Sequence, residues 1–110
     1  MSDPISIENL KRNLEHLTLV DVRKPKARMA SGFELERTVH EHPFNAAEWH
    51  TRYGGHQLVI FCVHGHEVSQ SVCGYLRDEG IDCRYVEGGF EALILNGFET
   101  VTIAGAHDEK

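Results

Sequence analysis

Apolar positions along the chain change their spacing several times, and each change marks an element. After Ser6, a suitable helix N-cap, Ile7, Leu10 and Leu14 recur at helical intervals, so residues 6–15 read as a short helix. LTLVDV (17–22) is a nearly unbroken apolar run, the mark of a strand buried on both faces. Residues 24–46 carry Pro25, Gly32, Pro43 and many charges with little period, and read as a loop with one helical turn near 27–30. AAEWHTRY (46–53) is helical in character and is stopped by Gly54 and Gly55. QLVIFC (57–62) is the clearest strand of the sequence. Val68, Val72 and Leu76 then stand four apart and predict a helix of about three turns, closed by Arg77 and Gly80. CRYV (83–86) is a further short strand, Gly88 and Gly89 make a turn, and FEALILNG (90–97) is a helix ended by Gly97. Strands alternating with helices predict an α/β domain, a parallel sheet flanked on both faces by helices. AGAHDEK (104–110) reads as a frayed tail.

The 110 residues suit one domain that can bury a core without disulfides or metals. Hydrophobic residues make up 41% and charged residues 25%, the balance of a soluble globular protein, and no apolar run approaches the ~20 residues of a membrane span. The formal charge is −6 and the eleven Lys and Arg are scattered apart from a cluster at 23–28, so no basic stripe offers a phosphate footprint. Neither nucleic acid nor membrane is expected as a partner. The start MSDPISIENLKRNLEHL lacks the basic and apolar regions of a secretory signal, which points to the cytoplasm. Three irregularly spaced cysteines form neither a disulfide framework nor a paired zinc motif, and reduced thiols are expected.

The chemistry concentrates in VIFCVHGHEVSQSVCGYL (59–76), where a strand runs into Cys62, then a short turn, then a helix. Ligands of open parallel sheets bind beyond the carboxyl ends of the strands, where loops meet helix N-termini. Unpaired N–H groups and a partial positive charge there favour a thiolate over a thiol and attract anions. Gly65 lets the loop curl so that successive amides can converge on the sulfur. A cysteine ending a strand is also a good packing residue, and position alone does not separate the two roles. Cys73, inside the helix, and Cys83, at the start of a strand, read as core.

These segments together resemble the single-domain rhodaneses, a sulfurtransferase family. D-V-R at 21–23, C-x-x-G at 62–65 and E-G-G-F at 87–90 occur in the family's order and spacing, over roughly residues 5–100 of one rhodanese-like domain. The resemblance implies a parallel sheet flanked by helices and a persulfide mechanism without metal or cofactor. Cys62 would take a sulfane sulfur from thiosulfate or another persulfide donor and pass it to cyanide, a small thiol, or a protein thiol or persulfide partner. The substrate loop would be Val63, His64, Gly65, His66, Glu67 and Val68, with amides that stabilise anionic sulfur. Asp21 and Arg23 would be structural, a buried ion pair below and beside the site.

The sequence departs from that family at several points. Where rhodaneses carry arginine or a small hydroxyl residue after the loop glycine, this chain has His66, Glu67 and Val68. The interval from Cys62 to Leu76 is about one residue longer, as in the related dual-specificity phosphatases and arsenate reductases, yet the arginine those enzymes use to grip oxyanions is absent. The G-H-I-P-G-A segment has no counterpart, and Leu93 stands where tryptophan is frequent. The alternatives are therefore a phosphatase or arsenate reductase, and a binding or sulfur-relay module without catalysis. His40, His42, His64 and His66 are acceptable metal ligands by type. A loop curled round a thiolate turns alternate side chains outward, however, so His64 and His66 are expected at the site mouth or simply in solvent.

Overall fold

The computed structural model describes residues 4–64 and 67–103. Gly65, His66 and the expected tail at 104–110 lie outside the described residues. Five strands form a wholly parallel sheet: β1 (Pro4–Ile5), β2 (Thr18–Asp21), β4 (Val39–His40), β5 (Gln57–Phe61) and β6 (Asp82–Val86), in the order β1-β6-β5-β2-β4. The helices are α1 (Ile7–Arg12), α2 (Pro25–Ser31), α3 (Ala46–Trp49), α4 (Glu67–Asp78) and α5 (Gly89–Leu95). The α/β architecture expected from the alternation is present. A two-stranded antiparallel sheet, β3 (Phe33–Leu35) with β7 (Thr100–Thr102), is added to it.

The two-residue period of the strands divides the core into two layers. Leu58, Ile60 and Cys62 share one layer with Val20, Val22, Trp49, Val72, Cys73, Leu76 and Cys83, under α3 and α4. Val59 and Phe61 face the other way, with Ile5, Leu10, Leu19, Phe90 and Leu93, against α1 and α5. Strands buried on both faces need near-continuous apolar sequence, which LVIF and LTLV supply. Burying a side chain such as Ile60 or Phe61, each fully inaccessible, stabilises by about 1.5–3 kcal/mol.

Several local expectations need correction. Residues 24–46 are not a loop with one helical turn: they hold α2, β3 and β4. Pro25 is the first residue of α2, where its missing N–H costs nothing, and Gly32 closes the helix at φ 79°. The helix expected over 6–15 ends at Arg12 and resumes as a 3₁₀ turn, Leu14–His16, that leaves Leu14 exposed. Ser6 does cap it, accepting from the Asn9 amide at 3.1 Å. Segment 46–53 is one α-helical turn followed by a 3₁₀ turn, His50–Tyr53. β1 and β7 stand near the two ends of the described residues, and Ile103 is buried.

Candidate active site at the end of strands β2 and β5

From β2 the chain proceeds outward to β4 at one edge, and from β5 it proceeds through β6 in the other direction. The adjacent carboxyl ends of β2 and β5 are therefore the switch point of the sheet, where the connections diverge and leave a crevice. The two strands stay paired to their last residues: Asp21 lies opposite Phe61, and the Val22 amide donates to the Phe61 carbonyl at 2.9 Å. Cys62 follows immediately. A cleft of about 380 Å³ opens there, with Arg23, Lys24 and Ala27 on the β2 side and Val63, His64, Glu67 and Val68 on the β5 side. Cys62 lines it too, although only 6% exposed.

The Cys62 thiol donates to Ser69 Oγ at 3.2 Å. Ser69 stands in the first turn of α4, fully buried. A hydroxyl rotates, so the same contact can run in reverse, the Ser69 hydroxyl donating to a Cys62 thiolate. The contact also holds the sulfur beside the N-terminal turn of a twelve-residue helix. Sequence reasoning missed Ser69. The signal was its position seven residues after Cys62, on the face of the predicted helix that carries Val72 and Leu76 at three and seven residues further on.

Beneath the opposite face lies the Asp21–Arg23 pair. Register places Asp21 on the face of Phe61, toward α5, and Arg23, just past the end of β2, folds onto it over Phe90 while still bordering the cleft; both are 1% exposed. Arg23 donates from Nη2 to Asp21 Oδ2 at 2.7 Å and from Nε to both carboxylate oxygens at 3.0 and 3.1 Å. Its remaining donors reach Ser31 Oγ and the Phe33 carbonyl. The guanidinium carbon lies 3.8 Å from the Phe90 ring centroid, and Phe90 stacks on Phe61. Two buried charges are tolerated because their hydrogen bonds are filled within the pair and its neighbours. The D-V-R and E-G-G-F segments thus meet physically, through Arg23 and Phe90.

The back of the cysteine loop is tied to α5. Gly88 (φ 83°) and Gly89 (φ 64°) turn the chain from β6 into α5, and a Cβ on Gly88 would stand 2.7 Å from that of Ala92. The Phe90 amide then donates to the Cys62 carbonyl at 2.7 Å and the Glu91 amide to the Val63 carbonyl at 3.3 Å. His64 is exposed at the mouth, its Nδ1 3.4 Å from Glu91 Oε1. Glu67 begins α4, where a carboxylate suits the helix dipole, and also faces the cleft.

The structure brings together Cys62, Val63, His64, Glu67 and Val68 at the cleft and leaves Asp21 and Arg23 as its buried support. Of the predicted loop, Gly65 and His66 lie outside the described residues, and with them the expected amide nest. Cys73 and Cys83 are core: the Cys73 thiol donates to the Cys83 carbonyl at 3.2 Å, and both residues are buried. A hydrogen bond with the Cys73 side chain, reinforced by burial, pushes the Cys83 thiol far above the ordinary thiol range.

No family model matches the chain, and no curated protein matches it in sequence. Solved structures do match. A rhodanese-related protein from Thermoplasma volcanium superposes with a TM-score of 0.77 at 22% identity, over 89% of this chain and 96% of its own. The fold is rhodanese-like. A thiosulfate sulfurtransferase from Pseudomonas aeruginosa contains the same fold (TM-score 0.76, 16% identity) over 93% of this chain and 20% of its own length. A possible tyrosine phosphatase from Rhodopseudomonas palustris matches with a TM-score of 0.75 at 17% identity, over 89% of this chain and 83% of its own. Among these neighbours the fold thus carries the names of a thiosulfate sulfurtransferase and of a possible tyrosine phosphatase. Among the described residues no helix is long and apolar enough to cross a membrane, and no three His, Cys, Asp or Glu side chains gather into a metal site.

Proposed function

We propose that this protein is a sulfurtransferase that carries a sulfane sulfur on Cys62. The observation that carries the reading is the Cys62 thiol on the floor of the switch-point cleft, hydrogen-bonded to a buried hydroxyl in the first turn of α4. With thiosulfate as donor, the Cys62 thiolate attacks the outer sulfur. A bond from Sγ to that sulfur forms, the bond to the sulfonate sulfur breaks, and sulfite leaves with the electron pair. The resulting persulfide anion loses its terminal sulfur to an acceptor nucleophile. Cyanide becomes thiocyanate and Cys62 returns as thiolate, so no external oxidant or reductant is needed. Ser69 donates to the anionic sulfur at each stage.

Phosphatase chemistry is disfavoured by the cations available. The arginine that lines the cleft, Arg23, spends its guanidinium on Asp21, Ser31 and Phe33, and a carboxylate, Glu67, occupies the start of α4. The planar bidentate grip that an arginine gives a phosphate dianion is not offered by these residues, and Lys24 supplies only a point charge.

Intact-mass measurement after incubation with thiosulfate, and separately with inorganic polysulfide, tests the reading. A gain of one sulfur atom, removed by cyanide and absent from Cys62→Ser, is expected. No gain with either donor, together with turnover of an aryl phosphate, would replace it with the phosphatase reading.

A further inference from the structure

The charges around the cleft do not suit a simple dianion. Arg23 is neutralised by Asp21, and His64 faces Glu91. Among the described residues that line the cleft, what remains is Lys24 on the β2 wall and Glu67 on the β5 wall, both exposed. Lys24 precedes α2, and its Nζ stands 5.7 Å from the centroid of the ring of Phe44, which lines a neighbouring cavity that shares Val68 with the cleft. Lys24 and Glu67 line one cavity but form no ion pair with each other or with any other described residue. One cation and one anion without ion-pair partners, lining the cavity from the β2 and β5 sides with the Cys62 sulfur at its floor, make the described part of the site dipolar. Thiosulfate gains from Lys24 what it loses to Glu67. A ligand carrying both charges gains from both.

We infer that the cleft selects a short zwitterionic α-amino thiol, cysteine being the simplest, and its persulfide: the carboxylate pairs with Lys24, the ammonium with Glu67, and the sulfur is directed at Cys62. This rests on the sulfurtransferase reading and names the substrate class of the same site. In the donor direction the Cys62 thiolate attacks the terminal sulfur of the amino-acid persulfide. The new bond is from Sγ to that sulfur, which keeps its proton, and the amino thiol departs as thiolate with the electron pair of the broken S–S bond. The acceptor direction is the reverse. Apolar Ala27, Val63 and Val68 leave room for the methylene between the charged groups and the sulfur.

Protection of Cys62 from iodoacetamide, followed peptide by peptide, tests binding without requiring sulfur transfer. The probes are S-methyl-L-cysteine, which carries both charges, 3-(methylthio)propionate, which keeps only the carboxylate, and 2-(methylthio)ethylamine, which keeps only the ammonium. S-methyl-L-cysteine should protect at about fivefold lower concentration than either of the others. Glu67→Gln should erase its advantage over the carboxylate probe, and Lys24→Met its advantage over the ammonium probe. Equal protection by all three probes, protection by none, or an advantage that survives both substitutions would overturn the inference. Sulfur loading from polysulfide is scored separately. Loading without zwitterion preference sinks this inference alone, whereas preference without loading sinks the sulfurtransferase reading and leaves an α-amino acid site.

Discussion

Cys62 and Cys73 occupy the same layer of the core, both nearly inaccessible, and differ in what they face. Cys62 ends a strand, lines a cleft and meets a hydroxyl at a helix start. Cys73 lies within α4, and its thiol is turned inward to the Cys83 carbonyl. Burial by itself therefore says little about a thiol in this protein. The direction of exit decides: one sulfur opens onto solvent through a cavity, the others onto backbone. Reactivity of cysteine follows thiolate character and access together, and of the three thiols only Cys62 lines a cavity among those described around its core layer.

The comparison can be broken most sharply by mutation. Cys62→Ser should lose all sulfur loading while keeping its thermal transition. Cys73→Ala should load normally but unfold with a stability loss of about 1–2 kcal/mol, from the cavity left in a packed layer. Denaturant titration beside intact-mass analysis checks both, and loading by Cys62→Ser would remove the distinction. Alkylation kinetics offer a large effect without mutation. Near neutral pH Cys62 should label at least about tenfold faster than Cys73 or Cys83, since the raised Cys83 pKa keeps that group protonated. Equal labelling of the three would mean that Cys62 is sealed in.

Ser69→Ala tests the partner rather than the sulfur. Removing one donor to a developing anion should slow loading by roughly tenfold, with little change in KM. Ser69→Thr, if it fits, should recover part of the rate. A change confined to stability would make Ser69 a packing residue. The smallest effect is electrostatic. Glu67→Arg exchanges repulsion for attraction at the cleft wall and should lower the thiosulfate KM about fivefold, less so at high salt, while weakening protection by S-methyl-L-cysteine. Unchanged kinetics toward both would show that residue 67 does not act on the ligand.

How legible all this was in the sequence depended on length and on partners. β5 and α4 are long and strongly patterned, so strand, Cys62 and helix were readable in order. D-V-R and E-G-G-F were readable as motifs, although their meeting through Arg23 and the Phe90 ring is tertiary and has no sequence period. β1 and β4 contribute two residues each, and β3 and β7 three each. Elements so short leave no alternation to detect, and they exist because a neighbouring strand supplies their hydrogen bonds. α2 was understated because its exposed residues mask the helical signal that Pro25 and Gly32 provide at its ends. Ser69 was passed over for a different reason. A serine inside an amphipathic helix reads as filler until the strand end is placed against it.

The hydrogen bonds from the Phe90 and Glu91 amides to the Cys62 and Val63 carbonyls carry a mechanical consequence. A trans peptide points its C=O and N–H in opposite directions, so fixing these two carbonyls on α5 also fixes the Val63 and His64 amides away from it. The loop cannot turn those dipoles over without letting go of the helix behind it. Charge arriving on the sulfur should thus be felt as tension at the far end of those peptide planes, and the Phe90 amide becomes a remote gauge of the nucleophile. Its hydrogen-exchange rate and nitrogen chemical shift should change when Cys62 is loaded with sulfur, and Gly88→Ala, which presses on Ala92 and loosens that anchor, should uncouple the gauge from the site.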